Sequence, residues 1–442
     1  MRLPEAFVER TQKILGKEFP LFETAVEQPS PVSVRVNNKM KYIPSENRVP
    51  WCDTGYYLDE RPLFTADPFF HAGVYYVQEA SSMFLQQVVK QYFPDAGRVL
   101  DLCAAPGGKS TLLLQTLPDD TLFVCNETVP ARANILAENI IKWGNGNTVV
   151  TNNNPKAFSQ LEHFFDAIVV DAPCSGEGMF RKDEEAVVQW TEKNVQVCAE
   201  RQRNILSDVW TALKPGGFLV YSTCTYNKEE NECNVRWICD ELGAEVQRVD
   251  LNGNTQIVET GFGYRFYPHR IKGEGFFISI LRKNEGEQEH FFQVKPDKKE
   301  LSQNNKVQIP YSLKEPEKWK FLWDGNRLTA YLKSRADEIL WLKKRLRVLY
   351  AGIEMGEVKG KDFLPSPCLA FSKYLDIDSV KKYNVDYQKA IAFLKREPLV
   401  ISDTERGFIL ICYDNQPLGW VKNVGNRCNN FYPQEWRIRM NL

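Results

Sequence analysis

Short apolar runs alternate with amphipathic stretches from residue 76 to residue 283. Apolar positions that recur every three or four residues predict helices over residues 110–117, 132–143 and 192–213. The apolar runs between them predict strands at residues 98–102, 121–126, 148–151, 167–171, 218–223 and 276–281. Strands that alternate with helices at this spacing predict an α/β fold built on a parallel, doubly wound sheet.

Four of the predicted strands lead into a residue whose side chain can bind a ligand or react. These residues are Asp101, Glu127, Asp171 and Cys224. In parallel sheets of this kind, ligands bind in the crevice outside the carboxyl ends of the strands. We therefore expect the four side chains to face one crevice.

Changes in composition divide the chain. Residues 47–76 are rich in aromatic residues, proline and glycine. This change of composition marks the end of an N-terminal module, residues 1–75, and the alternating region follows over residues 76–283. Residues 284–306 are polar, charged and poor in aliphatic side chains, which predicts a linker. A C-terminal region follows over residues 307–442.

Composition limits the classes of function. Hydrophobic residues make up 43 % of the 442 residues and charged residues 26 %, as in ordinary globular proteins. The formal net charge of −1 means that binding of nucleic acid would depend on local basic patches. No apolar run approaches the roughly 20 residues that a membrane-spanning helix needs.

Cysteine and histidine usage predicts a cytoplasmic protein without a metal site. Eleven cysteines are scattered along the chain, which is typical of reduced thiols in the cytosol, and residues 1–5 lead into no apolar signal segment. No Cys-x-x-Cys occurs, and the four histidines lie far apart, so we expect no zinc ion.

A glycine-rich loop follows the first predicted strand of the alternating region. It runs Cys103-Ala104-Ala105-Pro106-Gly107-Gly108-Lys109-Ser110. Such a turn, opening a helix, lets backbone N–H groups approach a ligand closely. A phosphate loop is one alternative, and it would make the chain a nucleotide-hydrolysing enzyme that uses Lys109, but that motif needs glycine at position 103. A plain strand–helix turn is the other alternative.

Glu127 ends the second of these strands, about 20 residues after the glycines, where an acidic residue typically holds the hydroxyls of a ribose. The G-x-G-x-x-G fingerprint of dinucleotide sites is absent. An adenosine cofactor without phosphates, S-adenosyl-L-methionine, fits this combination.

Two cysteines end neighbouring strands in polar surroundings. Cys174 lies in Asp171-Ala172-Pro173-Cys174-Ser175-Gly176, and Cys224 lies in Ser222-Thr223-Cys224-Thr225. Each thiol can serve as a nucleophile or as an acid or base beside one, and position alone does not rank them. The other nine are expected to be small buried hydrophobic residues: Cys52, Cys103, Cys125, Cys198, Cys233, Cys239, Cys368, Cys412 and Cys428.

A thiol of this kind suits the chemistry of cytosine. Carbon 5 of cytosine is a poor nucleophile, and addition of a thiolate to carbon 6 makes an enamine that attacks through carbon 5. Hydrogen bonding at ring nitrogen N3 assists the addition, and the carboxyl group of Asp171 is a candidate to supply it.

The motifs DLCAAPGGKS, DAPCSGEG, LKPGG and YSTCTYNKEEN, in this order, resemble those of the Nol/Nop/Sun family of RNA cytosine-5 methyltransferases. Within it the chain is most similar to the bacterial RsmF type, which acts on small-subunit ribosomal RNA. The segments PVSVRVN and YYVQEASSM resemble that family's pre-catalytic part, and QPLGWVKNVGNRCNNFYP resembles its PUA-like tail.

The resemblance implies a Rossmann-like class I S-adenosylmethionine methyltransferase domain between an N-terminal α+β module and a C-terminal PUA-like RNA-binding extension. It implies S-adenosyl-L-methionine as cofactor and ribosomal RNA or the small ribosomal subunit as partner, with no membrane and a monomeric chain. A transfer RNA methyltransferase and a non-catalytic ribosome-assembly factor that retains the fold are the alternatives.

The resemblance also implies roles for single residues. Cys224 corresponds to the covalent nucleophile, Cys174 to the cysteine that assists product release, and Asp171 to the residue near both the cofactor amine and the cytosine. Residues 103–109 correspond to the cofactor loop, and Glu127 to the ribose-binding acid.

The chain departs from the family after the third strand. Where the family has an aspartate beside the adenine, TNNNP places Asn154. An amide can still form a hydrogen bond with adenine, so Asn154 is the expected residue there, with Asn152 and Asn153 as alternatives.

Basic residues interleaved with aromatic residues follow in the C-terminal region, a pattern typical of contacts with RNA phosphates and bases. The alternative is a solvated helix face whose aromatic residues belong to the core. The residues are Lys333, Arg335, Lys343, Lys344, Arg345 and Arg347, with Tyr331, Trp341 and Tyr350.

Overall fold

The structure is a computed structural model that describes residues 3–39, 41–286, 309–401 and 405–440. Most of the predicted linker at residues 284–306 lies outside the described residues. Among the described residues, no helix combines the length and the apolar character needed to cross a membrane.

The N-terminal residues form three helices and a small sheet. Its elements are α1 (Glu5–Leu15), α2 (Phe19–Glu27), β1 (Val32–Val36), β2 (Gly55–Leu58), α3 (Pro68–His71) and β3 (Tyr75–Val77). The strand order is β2-β1-β3, and all pairs are antiparallel. Strand β3 therefore spans the expected boundary at residues 75 and 76.

The middle of the chain alternates strands and helices around one sheet. Its helices are α4 (Leu85–Tyr92), α5 (Gly108–Thr116), α6 (Pro130–Trp143), α7 (Glu184–Gln189), α8 (Glu192–Trp210) and α9 (Glu232–Leu242). Its strands are β4 (Arg98–Asp101), β5 (Leu122–Asn126), β6 (Thr148–Thr151), β7 (Phe165–Asp171), β8 (Leu213–Thr223), β9 (Ala244–Val246), β10 (Val258–Glu259), β11 (Tyr264–Phe266) and β12 (Phe276–Lys283).

The sheet is parallel at its centre, in the order β8-β7-β4-β5-β6. Strands β12, β11 and β10 continue it antiparallel beyond β8, and β9 pairs with β12. Alternate residues pack on opposite faces, so Val99 and Leu100 are both buried but belong to different halves of the core. The parallel, doubly wound sheet expected from the alternating pattern and the Rossmann-like domain implied by the resemblance are both confirmed.

The predicted helix over residues 192–213 is too long at its C-terminal end. Helix α8 ends at Trp210, and Leu213 already pairs with Phe165 as the first residue of β8. Pro215 cannot continue a helix, and Gly216 has a φ of 71°, so the chain leaves the helix before this turn.

The C-terminal residues form two further sheets. Their helices are α10 (Ala336–Lys343), α11 (Pro367–Phe371) and α12 (Tyr387–Lys395). Their strands are β13 (Trp319–Asp324), β14 (Arg327–Leu332), β15 (Val348–Ala351), β16 (Ile353–Lys359), β17 (Asp362–Pro365), β18 (Lys382–Val385), β19 (Gly407–Tyr413), β20 (Gln416–Asn423) and β21 (Cys428–Asn430). The orders are β13-β14-β16-β17 and β18-β19-β20-β21.

Strand β15 does not join either C-terminal sheet. It pairs antiparallel with β6, so a strand from the C-terminal region completes the central sheet of the middle region. The sequence analysis did not predict this strand.

The N-terminal sheet packs against the middle region through a buried arginine. The Arg35 guanidinium donates to the Gln78 side chain and to the Thr111 carbonyl, and it lies 4.6 Å from the Trp143 ring. Arg35 also donates to the carbonyl of Gly108, in the first turn of α5. The small sheet therefore supports the helix that follows the glycine-rich loop.

Candidate active site

The carboxyl ends of β8, β7, β4 and β5 lie side by side in the sheet. Asp101, Glu127, Asp171 and Cys224, which end or follow these strands, therefore line the same side of the molecule. Cys174 follows β7 three residues after Asp171. The structure thus brings together the residues that the sequence analysis grouped.

Two thiols lie at the centre of the crevice. The Sγ atoms of Cys174 and Cys224 are 3.0 Å apart, and the backbone N–H of Cys224 donates to the Cys174 sulfur at 3.4 Å. The hydrogen bond to Cys224, together with burial and the nearby charge of Glu230, raises the pKa of Cys174 well above that of an ordinary thiol. The raised pKa favours the protonated form of the Cys174 thiol, and either sulfur can be the donor in the contact between them.

A buried carboxylate holds the two cysteine loops together. Glu230 accepts hydrogen bonds from the backbone N–H and the hydroxyl of Ser175, from Gln202 Nε2 at 2.7 Å and from Asn227 Nδ2 at 2.6 Å. It is fully buried, and burial raises its pKa. Glu230 lies in the motif around Cys224, but no role for it was predicted from the sequence.

A second buried carboxylate connects the N-terminal helix to the same loops. Glu177 accepts from Arg10 of α1 at 2.8 Å, from the Tyr226 backbone N–H at 2.9 Å and from the Trp190 indole at 2.9 Å. The position of the Cys224 loop therefore depends on a contact with α1.

Asp171 lies in a short polar chain beside the thiols. Its Oδ2 is 2.8 Å from Lys109 Nζ, and its Oδ1 accepts from the Ser222 hydroxyl at 2.7 Å. Burial lowers the pKa of Lys109, but the neighbouring Asp171 carboxylate raises it by more, so the pKa lies above its usual value. Lys109 therefore stays protonated, and its charge faces Asp171. The sequence signal that could have revealed Ser222 is its place in the motif around Cys224.

The glycine-rich loop leaves its backbone open to a ligand. Gly107 has a φ of 118°, which favours glycine, and α5 begins at Gly108. A Cβ atom on Gly108 would lie 3.3 Å from the Tyr76 ring. The loop faces a cavity of about 190 Å³ that is lined by Tyr76, Val77, Gln78, Glu79, Ser82, Cys103, Ala104, Ala105, Pro106, Gly108, Lys109 and Asp171.

Asp101 carries a carboxylate oxygen without a partner. Its Oδ2 accepts from the Ser110 hydroxyl at 2.7 Å, whereas its buried Oδ1 has no hydrogen bond within the described part of the chain. Burial raises the pKa of Asp101 to about 7. A cationic amino group at this point would both satisfy Oδ1 and favour the ionised carboxylate.

Glu127 is held at the end of β5. One of its oxygens accepts from the Val129 N–H at 2.8 Å, and the other lies 3.3 Å from Arg132. Arg132 also donates to the carbonyl of Ala105 at 2.9 Å, so it connects Glu127 to the glycine-rich loop. The sequence analysis missed Arg132, which no local motif marks.

These groups fit S-adenosyl-L-methionine. The N–H groups of the first turn of α5 suit its carboxylate, the free oxygen of Asp101 suits its ammonium group, and Glu127 suits its ribose hydroxyls. Cys103 stands where a phosphate loop would need its first glycine, and Lys109 is paired with Asp171. The arrangement therefore does not favour the alternative of nucleotide hydrolysis.

The three asparagines after β6 have different surroundings. Asn152 donates to the carbonyls of Glu127 and Thr128, at 2.7 and 2.9 Å. Asn154 is exposed, and its Oδ1 accepts from the Lys156 N–H at 3.0 Å, which caps a short 3₁₀ turn. Its Nδ2 can donate to an adenine and its Oδ1 retains a second lone pair, but the amide is neutral and so supports an adenine amine less strongly than the carboxylate of the family does.

Asn153 has a different role. Its Oδ1 accepts from the Arg347 N–H at 3.0 Å, and its Nδ2 donates to the Arg347 carbonyl at 3.2 Å. The backbone N–H of Asn153 donates to the Asn126 side chain, and its carbonyl accepts from that side chain. Asn126 is the residue before Glu127. The side chain of Asn153 thus joins the C-terminal region to the end of β5.

The aromatic residues of the basic C-terminal cluster face the interior. Tyr331 is 3 % exposed, and Trp341 stacks on Phe164 with ring centroids 5.3 Å apart. Lys343 and Arg345 are exposed, and Arg345 lies 4.0 Å from the Trp341 ring. The structure therefore favours the alternative of a solvated basic face whose aromatic residues belong to the core.

Of the other nine cysteines, five are buried as expected: Cys52, Cys125, Cys198, Cys368 and Cys412. Three are only partly buried, namely Cys103, Cys239 and Cys428, and Cys233 is exposed at the start of α9, so for Cys233 the prediction is wrong. Position 233 faces outward because Asn234 and Val235 take the inner face of the helix. In the described ranges, no group of three or more His, Cys, Asp or Glu residues could hold a metal ion.

Comparison with known proteins gives the family. Residues 3–80 match the N-terminal domain of 16S rRNA methyltransferase RsmF, residues 92–282 match 16S rRNA methyltransferase RsmB/F, and residues 380–438 match the methyltransferase RsmF PUA domain. A methyltransferase homologue from Pyrococcus horikoshii is similar in structure, with 28 % identity and a TM-score of 0.55 over 63 % of this chain and 95 % of that one.

Full-length relatives extend this match. The ribosomal RNA small subunit methyltransferase F of Erwinia tasmaniensis is 30 % identical over 468 residues, which cover 98 % of this chain and 96 % of that protein. The protein of the same name from Escherichia coli is 30 % identical over 479 residues, with the same shares covered. The chain therefore belongs to the RsmF family of S-adenosylmethionine-dependent ribosomal RNA methyltransferases.

Proposed function

We propose that this chain methylates carbon 5 of a cytosine in 16S ribosomal RNA through a covalent bond between Cys224 and carbon 6 of the base. The observation that carries the proposal is the 3.0 Å contact of Cys174 with Cys224 beside the Lys109–Asp171 pair. The names of the relatives, which are small-subunit ribosomal RNA methyltransferases, support the choice of RNA.

The contacts of the two thiols support different roles for them. A protonated Cys174 thiol, 3.0 Å away, can donate a hydrogen bond to a Cys224 thiolate and so would stabilise negative charge on the Cys224 sulfur. Cys224 is therefore the better nucleophile. Its sulfur would bond to carbon 6 while N3 accepts a hydrogen bond, which places the electron pair of the enamine at carbon 5.

Lys109 and Asp171 would hold the base during this addition. The protonated Lys109 is a donor for the oxygen at carbon 2 or for N3, and Asp171 is an acceptor for the exocyclic amine. Ser222 fixes the Asp171 carboxylate by donating to Oδ1 at 2.7 Å. S-adenosyl-L-methionine, when bound, supplies the methyl group as an electrophilic sulfonium.

Cys174 would act in the second half of the reaction. The hydrogen bond and charge of Cys224 are among the causes that raise the pKa of Cys174. Once the Cys224 sulfur is bonded to carbon it carries no charge and is a weaker acceptor, so these two causes diminish and the pKa of Cys174 would fall. After its own proton has passed to solvent, the Cys174 thiolate would take the proton from carbon 5. The electron pair of that C–H bond would form the C5–C6 double bond, and the bond between carbon 6 and the Cys224 sulfur would break to release Cys224 as a thiolate.

A cytoplasmic, monomeric enzyme is part of this proposal. All eleven cysteines are free thiols in the structure, as expected in a reducing compartment where ribosomal subunits are assembled.

The test is to map 5-methylcytosine in ribosomal RNA from cells with and without the gene. We expect one cytosine of 16S RNA to lose its methyl group in the mutant cells and to regain it when the wild-type chain is supplied. If a cytosine in transfer RNA loses its methyl group instead, transfer RNA replaces 16S ribosomal RNA as the substrate in this proposal. Unchanged 5-methylcytosine in both RNAs would overturn it.

A further inference from the structure

A second cavity opens beside the loop that carries Cys224. Its volume is about 500 Å³, and Lys228, four residues after Cys224, forms part of its wall. We call it the Lys228 pocket. It is lined by Ile14, Leu15, Glu18, Lys228, Glu232, Cys233, Arg236, Val258, Thr260, Phe262, Arg265, Tyr267 and Arg270.

The Lys228 pocket carries an excess of positive charge. Arg265 is paired with Glu232, and Arg270 is paired with Glu18, so the charges of its two acidic residues are neutralised. Lys228 and Arg236 are exposed and make no ion pair within the residues that the structure describes. Two cationic groups are therefore left for an anionic ligand.

An aromatic ring lies beside one of these cations. The Arg236 guanidinium is 5.1 Å from the centroid of the Phe262 ring, and Phe262 is only partly buried. Planar guanidinium and aromatic groups are the surfaces on which bases of single-stranded RNA stack. The pocket thus combines phosphate-binding charge with a stacking surface.

Backbone hydrogen bonds of Tyr226 connect the pocket to the loop that carries Cys224. The backbone of Tyr226, between Cys224 and Lys228, donates to Glu177 at 2.9 Å and accepts from Arg265. Four residues span at most about 14 Å of chain. A ligand in the pocket would therefore lie within a few nucleotides of a cytosine at Cys224.

We propose that the Lys228 pocket binds the substrate RNA strand next to the target cytosine, with Lys228 and Arg236 at phosphates and a base stacked on the Arg236–Phe262 pair. This inference rests on the proposed function, because it assumes an RNA strand at Cys224. The excess charge would also suit an acidic protein segment, but proximity to Cys224 favours the substrate itself.

The test compares two double variants that remove the same charges. Lys228→Gln with Arg236→Gln changes the pocket, and Lys193→Gln with Arg201→Gln changes two exposed residues of α8 as a control. Binding of a 16S ribosomal RNA transcript and of small subunits that lack the modification is measured at several salt concentrations. S-adenosylmethionine affinity and the thermal midpoint confirm that each variant is folded.

We expect the pocket variant to bind RNA at least about tenfold more weakly than the control variant at moderate salt. Its slope of log affinity against log salt should be smaller by about 1.4, since each lost contact to a single strand contributes about 0.7. A pocket variant with the affinity and slope of the control would overturn the inference.

A photoreactive residue at position 262 gives a second measurement that does not depend on a folded double variant. In a chain that is otherwise wild type, the residue at position 262 should crosslink to RNA within a few nucleotides of the methylated cytosine. Crosslinking only to a ribosomal protein, or to distant RNA, would overturn the inference. If the wild-type chain methylates no RNA at all, the proposed function fails, and this outcome is distinct from a failure of the pocket.

Discussion

The sulfur atoms of Cys174 and Cys224 lie 3.0 Å apart, and this contact raises the pKa of the Cys174 thiol. The two residues come from loops after neighbouring parallel strands, and Glu230 holds those loops together. The contact gives the two thiols unequal chemistry although their positions in the sheet are similar.

Three variants should separate their roles on one denaturing gel. Cys224→Ala should lose turnover and form no covalent adduct with RNA, because nothing adds to carbon 6. Cys174→Ala should also lose turnover, but it should attack, transfer the methyl group and stall, so an RNA–protein species accumulates. The double variant should form none.

Two other outcomes would contradict this assignment. If Cys174 is only a buried residue, Cys174→Ala keeps most of its activity and traps nothing. If the roles are exchanged, the adduct appears in Cys224→Ala and is absent from Cys174→Ala.

Glu127→Ala should weaken binding of S-adenosylmethionine by about 1–3 kcal/mol, since the ribose hydroxyls lose a charged acceptor. Titration calorimetry measures this directly. Glu162→Ala removes an equal charge from an exposed site and should leave affinity unchanged. Equal affinities of both variants would remove Glu127 from the cofactor site.

Cofactor affinity should rise with pH through the range near 7. Burial raises the pKa of Asp101 to about 7, so the carboxyl is neutral below that pH and anionic above it. The ammonium group of the cofactor pairs with the anion, and affinity should therefore increase from pH 6 to pH 8. Asp101→Asn should bind weakly with no such rise, and a rise that persists in this variant would implicate another group.

The raised pKa of Asp101 also affects folding stability, which changes with pH in the opposite direction to cofactor affinity. A carboxyl with a raised pKa in the folded state resists ionisation, so without cofactor its contribution to stability falls as pH rises from about 4 to 7. Asp101→Asn should flatten this part of the stability profile in chemical denaturation.

Variants of Asn153 and Asn154 should affect different properties, stability for Asn153 and cofactor affinity for Asn154. Asn153→Ala removes two hydrogen bonds to Arg347 and should lower the free energy of unfolding by about 1–3 kcal/mol. Asn154→Ser keeps an oxygen that can cap the turn, so stability should hold while cofactor affinity falls. Unchanged affinity in Asn154→Ser would mean that Asn154 does not contact the adenine.

The sequence predicted the centre of the sheet well because buried parallel strands are short, continuous apolar runs. The run over residues 167–171 is one such strand, and it ends on Asp171, as β7 does in the structure. Cys174 and Cys224 could be placed for the same reason, since each follows the end of such a strand.

Residues that depend on distant partners could not be predicted in this way. Glu230 and Arg132 act through contacts with loops far away in the chain, which no local pattern records. Strand β15 is a short apolar segment whose partner, β6, is about 200 residues earlier. The aromatic residues beside Arg345 were equally ambiguous, because burial of Trp341 requires Phe164.

The pairing of β15 with β6 has a consequence for synthesis of the chain. Until residue 351 has left the ribosome, β6 presents a row of unsatisfied amide and carbonyl groups to the solvent. Folding of the methyltransferase core therefore finishes only after most of the polypeptide has been translated. A truncated chain that stops before residue 348 would keep every candidate catalytic side chain yet remain open to strand exchange with its neighbours.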